Sequence, residues 1–158
     1  DLVFVLDGSE SISRADPQNW PKVLEFAANI VDYYVITPNN TRVGLVQFSD
    51  IGIIEFNLTS YKTASDVKKA ILGLKIRNSF TNTFDGLVQM RKLFTAPYGD
   101  RPDIPNVAIV LTDGEHSRET PDPITEAERA QKDGITMLTV GVAQANREEL
   151  KGMSSDPK

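Results

Sequence analysis

Five consecutive apolar residues, Leu2-Val3-Phe4-Val5-Leu6, run straight into Asp7-Gly8-Ser9-Glu10-Ser11. That junction constrains the chain more than any other stretch. An unbroken apolar run with two valines reads as a strand buried on both faces, which implies a parallel sheet covered by helices on each side. In such sheets ligands bind beyond the carboxyl ends of the strands, where this run turns polar. Asp7, Ser9 and Ser11 alternate, so in a locally extended loop their oxygens converge on one point. A carboxylate with two hydroxyls is a hard-oxygen set that suits Mg²⁺, or Mn²⁺ in its place.

The rest of the chain repeats the pattern. After a polar connector over 12–17, a helix with Pro21 near its first turn sets Trp20, Val23, Leu24, Ala27, Ile30, Val31 and Tyr34 on one face. A mostly apolar strand over 42–48 follows. A short polar break then leads to 53–58, which alternates apolar and polar from Ile54 on. A connector that short permits only an antiparallel hairpin, and the alternation marks a half-exposed edge strand. Helices are predicted over 64–75 and after the polar loop 77–83, with Thr83 as N-cap and Phe84, Leu87, Met90 and Phe94 inward. Prolines and a glycine make 95–106 a surface loop.

Val107-Ala108-Ile109-Val110-Leu111 is a second buried strand, and it too turns polar, into Thr112-Asp113-Gly114-Glu115. A helix from about Asp122 ends at Gly134, a strand spans 136–142, and Asn146 with Glu149 forms a capping-box pattern for a last helix. This order predicts one α/β domain with a doubly wound, mostly parallel, Rossmann-like sheet, one antiparallel edge strand and helices on both faces. With strand order 3-2-1-4-5, Asp7 and Asp113 face each other across the crevice at the topological switch point. Thr81 and Thr83 approach from a third loop.

Composition narrows the function. A net charge of −5 with scattered Lys and Arg argues against nucleic acid and gives no reason to expect attraction to an anionic membrane. No apolar run approaches the ~20 residues of a membrane span, so no membrane insertion is expected. Cysteine is absent, which excludes disulfides, thiolate metal sites and thiol nucleophiles. Two N-x-S/T sequons, at Asn39 and Asn57, compare with roughly one expected by chance, and they permit a secreted protein. No nucleotide-binding glycine motif or G-x-S-x-G elbow is present. A Mg²⁺-dependent phosphohydrolase of the haloacid-dehalogenase type is the enzymatic alternative, but that chemistry needs a second acid where Ser9 stands. His116 is the only histidine.

Three motifs in order carry a family resemblance over essentially the whole chain. Asp7-Gly8-Ser9-Glu10-Ser11 resembles the D-x-S-x-S signature of von Willebrand factor A (integrin I) domains. Thr81-Asn82-Thr83 resembles the threonine loop of that family, and Thr112-Asp113-Gly114 its T-D-G motif. The stretches 40–49 and 105–114 look most like matrilins and A-domain collagens. The resemblance implies a metal-ion-dependent adhesion site (MIDAS) with Asp7, Ser9, Ser11, Thr81 and Asp113 as ligands. Glu10, Thr83, Glu115 and His116 are expected around it as a partner-binding rim, with a solvated acid at Glu115 and a surface histidine at His116 as the plainer alternatives. The resemblance further implies a secreted extracellular matrix protein that is not an enzyme and that binds a partner such as collagen through the partner's acidic side chain. A structural assembly module with metal-independent contacts is the other reading. Family members continue into a sixth strand and a C-terminal helix, and the sequence is expected to stop short of both, as a segment of a longer protein.

Overall fold

The computed structural model describes residues 1–155, so the expectation that Asp156-Pro157-Lys158 follows the last helix without a further strand lies outside the described residues. One sheet holds five strands: β1 (Leu2–Asp7), β2 (Val43–Phe48), β3 (Gly52–Phe56), β4 (Asn106–Thr112) and β5 (Ile135–Gly141). Among the described residues the helices are α1 (Glu10–Ala15), α2 (Asn19–Val31), α3 (Ala64–Leu72), α4 (Thr83–Leu93), α5 (Pro123–Lys132) and α6 (Arg147–Met153). The sheet order is β3-β2-β1-β4-β5. All pairings are parallel except β2 with β3. The doubly wound arrangement expected from the sequence is the one observed, with the alternating run at the edge.

Strand periodicity splits the core into two layers. Leu2, Phe4 and Leu6 pack with Trp20, Leu24 and Ala27 of α2 and with Val67 and Ile71 of α3. Val3 and Val5 face the other way, toward Leu87, Met90 and Leu93 of α4 and Ala127 and Ala130 of α5. Every residue of β1 and β2 is therefore buried, whereas β3 is mostly half-exposed. This is why β1 and β2 read as apolar runs and β3 as an alternation.

Local expectations fail at several helices. The stretch after Ser11 is not a connector but the short helix α1, anchored by fully buried Ile12. Tyr34 does not extend α2: the N–H groups of Asp32, Tyr33 and Tyr34 reach back only three residues, which tightens and ends the helix. α3 stops at Leu72, capped by Gly73, so Leu74 lies beyond it.

The cap of α4 is Asn82, not Thr83. The Asp85 N–H donates to Asn82 Oδ1 at 3.2 Å, and the Asn82 N–H donates to Ser49 O at 2.7 Å. α4 also seats directly on β2, because a Cβ on Gly86 would stand 2.7 Å from Cδ1 of Phe48. Gly86→Ala is therefore expected to push α4 off the sheet and to cost about 1–3 kcal/mol through overpacking. A lower urea midpoint at unchanged m-value is the check, and an unmoved midpoint would mean that the contact tolerates a methyl group.

Candidate metal centre

β1 delivers Asp7 at its last position, where the residue is fully buried. A carboxylate there needs hydrogen bonds to both oxygens. The Ser9 N–H donates to Oδ1 at 2.9 Å, and the Thr112 hydroxyl donates to Oδ2 at 2.6 Å. Burial nonetheless raises the Asp7 carboxyl from 3.8 to about 6, and the charge of Asp113 adds to the shift, while the bonds from Ser9 and Thr112 oppose it. An acid disfavoured as an anion by burial and by a neighbouring acid is stabilised by any cation placed between the two.

Ser9 is extended (φ −71°, ψ 167°) at the N-cap of α1, and its side chain makes no capping bond. Ser11 therefore comes from α1 and not from an extended loop. The expected convergence survives: the two Oγ atoms are 3.0 Å apart. Oxygens at ~2.1 Å around an octahedral Mg²⁺ stand ~3.0 Å from their nearest neighbours. The serine pair has the spacing of two adjacent ligands.

Backbone bonds close the three loops on one another. The Glu10 N–H donates to Ser79 O at 3.0 Å, and the N–H groups of Arg77 and Asn78 donate to Gly8 O at 3.2 and 3.0 Å. Thr81, buried, is clamped from the β4 side by Ser117. The Ser117 N–H donates to Thr81 O at 2.9 Å, and Ser117 Oγ accepts the Thr81 N–H at 3.1 Å. Asp113, half-buried, is held through its carbonyl, which accepts the Asn146 N–H at 2.8 Å. The chain then turns at Gly114 with φ +66°, where a side chain would be strained and its Cβ would stand 3.0 Å from Asn146 O.

Asp7, Ser9, Ser11, Thr81 and Asp113 are thus brought to one end of the sheet by loops that are mutually stapled. The rim is less uniform. Glu10 is exposed and pairs with Arg14 at 2.8 Å, and Glu115 is exposed. His116 is half-buried, with Nδ1 2.7 Å from Glu149 Oε2. Thr83 is not at the rim at all. It is fully buried in the first turn of α4, and its Oγ1 has no hydrogen-bond partner among the described residues. Asn82 has taken the cap, and a first-turn residue has no helical carbonyl behind it to accept the hydroxyl proton. An orphaned hydroxyl two residues from Thr81 fits a centre that carries an ion with its bound water. Among the described residues no three His, Asp or Glu side chains gather as a metal site, so an ion here depends on hydroxyls. That hard-oxygen donor set fits Mg²⁺ or Mn²⁺.

Four supporting residues escaped the sequence reading. Thr112 was legible only as the neighbour of Asp113, and nothing local marks Ser117. Asn146 and Glu149 form a capping-box pattern in the sequence. Asn146 Oδ1 does accept from the N–H groups of Glu148 and Glu149, but the Asn146 N–H goes to Asp113 and the Glu149 carboxylate turns to His116.

Comparison with known proteins shows the family. The model of the von Willebrand factor type A domain matches residues 1–158. The chain is 41% identical to matrilin-4 of Mus musculus over 161 residues, covering 99% of this chain and 25% of that protein. It is 36% identical to matrilin-1 of Gallus gallus over 159 residues, covering 99% and 31% respectively. The chain therefore spans a quarter to a third of the length of these relatives. Proximal thread matrix protein 1 from the mussel byssus, solved with a zinc-occupied MIDAS motif, aligns with a TM-score of 0.89 at 29% identity, over 98% of this chain and 41% of that one.

The raised Asp7 carboxyl makes a signed prediction for metal-free protein. Between 3.8 and about 6 the folded state keeps a proton that the unfolded chain has released, so stability is lost as pH rises through that window, by roughly 3 kcal/mol. In EDTA, Asp7→Asn is expected to match the wild type near pH 4 and to exceed its Tm at pH 7.5. Mg²⁺ at pH 7.5 is expected to raise the Tm of the wild type alone. Equal Tm values for the two proteins in EDTA at pH 7.5 would show that Asp7 is not destabilised.

Proposed function

The chain belongs to the von Willebrand factor type A domain family, and on that premise we propose that it is an adhesive module of a secreted extracellular matrix protein. In this reading Asp7, Ser9, Ser11, Thr81 and Asp113 hold one divalent cation, Mg²⁺ or Mn²⁺. The bound ion supplies positive charge for an Asp or Glu carboxylate of a matrix protein such as collagen. The observation that carries the reading is the state of Asp7: fully buried, hydrogen-bonded at both oxygens, and still raised by burial and by Asp113.

The other residues act by position. Thr112 orients Asp7, Ser117 holds Thr81, and Asn146 holds the carbonyl of Asp113. Glu10, Glu115 and His116 shape the rim against which a partner is selected. The zinc in the motif of the mussel protein and the likeness to matrilins support a cation and a matrix setting. Among the described residues no helix is long and apolar enough to cross a membrane. A binding module is favoured over a phosphohydrolase because Ser9 occupies the place of the second acid.

Solid-phase binding to immobilised collagens tests this. Binding in Mg²⁺ is expected to fall to background in EDTA and in Asp113→Ala. Binding that survives both, in folded protein, would replace the cation with metal-independent assembly contacts. Turnover of a phosphate ester, lost in Asp7→Ala, would favour the hydrolase. Thr112→Val removes the hydroxyl on Asp7 and is expected to weaken Mg²⁺ affinity about 10–100-fold by calorimetry.

A further inference from the structure

At the pole opposite the cation centre lies an exposed aromatic patch with no role in the proposed binding. Beyond the end of α2, Tyr33, Tyr34 and Val35 are 86%, 44% and 65% exposed. Three adjoining apolar side chains on a surface favour association unless something covers them. The same connector carries the sequon Asn39-Asn40-Thr41, whose asparagines are exposed. The backbone brings patch and sequon together: the Thr41 N–H donates to Val35 O at 3.1 Å, and Ile36 and Thr41 form an isolated bridge.

The sequon loop is rigidly held through its main chain. Arg101 Nη1 donates to Asn39 O at 3.2 Å, Arg101 Nη2 to Asn40 O at 2.6 Å, and Arg42 Nε to Pro38 O at 2.8 Å. The Asn40 side chain is engaged by Thr37, at 2.7 Å. None of these bonds uses the Asn39 carboxamide. The second sequon differs. Asn57 is half-buried, and its Oδ1 accepts from the Thr59 N–H, the Thr59 hydroxyl and the Ser60 hydroxyl at 2.9, 2.9 and 3.0 Å.

We infer that Asn39 carries an N-linked glycan whose first sugars lie over Tyr33 and Val35. The donor is a lipid pyrophosphate-linked oligosaccharide of the secretory pathway. Asn39 Nδ2 bonds to the anomeric carbon of the sugar, and the bond from that carbon to the pyrophosphate oxygen breaks. The lipid pyrophosphate leaves with the electron pair, and the amide gives up one proton, so nothing is oxidised or reduced. The apolar face of a sugar ring rests on an aromatic side chain while its hydroxyls remain in water, which exchanges an apolar surface for a hydrated one. The glycan stands at the amino end of β2, away from the cation centre, and leaves that face open. The inference rests on the extracellular reading above only for passage through the compartment that holds the donor.

The test is secretion of the chain, behind a leader peptide, from cultured mammalian cells. Peptide mapping after enzymatic deglycosylation is expected to find Asn39 converted to Asp. Asn39→Gln and Thr41→Ala are each expected to lose one glycan-sized gel shift that Asn57→Gln does not account for. Deglycosylated protein is expected to bind more of the dye ANS, and Tyr33→Ser with Val35→Ser to abolish that rise. Secreted protein with unmodified Asn39 would overturn the attachment site, and ANS binding unchanged by deglycosylation would overturn the covering of the patch. These readouts are mass and dye fluorescence, so a failure of Mg²⁺-dependent collagen binding strikes the adhesive reading alone.

Discussion

A carboxylate buried at the end of the central strand, beside a second carboxylate, is the constraint from which the architecture of this domain follows. β1 lies in the middle of the sheet, flanked by β2 and β4, so its carboxyl end cannot open to bulk water on either side. Asp7 is instead solvated by the protein, through Ser9 and Thr112. Two hydrogen bonds do not offset the burial, since the carboxyl remains raised to about 6. The deficit is electrostatic, and the proposed cation, held together with the hydroxyls of Ser9, Ser11 and Thr81, would offset it.

Those hydroxyls are useful only if the loops that bear them keep their place. The staples between loops are backbone bonds from Arg77, Asn78, Glu10 and Ser117, which depend little on side-chain identity. They are supported from below by packing: α4 sits against Phe48 with only a hydrogen on Gly86 between them, and α4 begins where the threonine loop ends. A shift of that helix would carry Thr81 and Thr83 with it.

The Asp113 loop is tied to a different element. Asn146 holds its carbonyl, and His116 meets Glu149 of α6, a largely buried acid whose other oxygen, Oε1, has no partner among the described residues. α4 and α6 pack in the same core layer, with Val3 and Val5, so the threonine loop and the Asp113 loop are braced from one face of the sheet. The opposite pole is organised by arginines on carbonyls, with Arg42 and Arg101 bracing the connector that carries Asn39.

The sequence alone determined the strands, the antiparallel edge and the main ligand candidates, while the order of the strands was a supposition until the structure supplied it. Burial on two faces forces apolar runs in β1 and β4 and a mostly apolar one in β2, interrupted by buried Gln47, and half-burial forces alternation in β3, so periodicity reports the layer each strand occupies. Polar residues placed at the ends of such runs report the binding edge for the same reason. Only the tertiary structure decided which polar residues hold the others. Whether Asn82 or Thr83 capped α4, whether Glu149 closed a capping box or met His116, and whether Ser117 touched Thr81 depended on partners distant in the chain. A hydrogen bond between distant residues leaves no local period, which is why Thr112, Ser117 and Asn146 became visible only once the sheet had brought the three loops together.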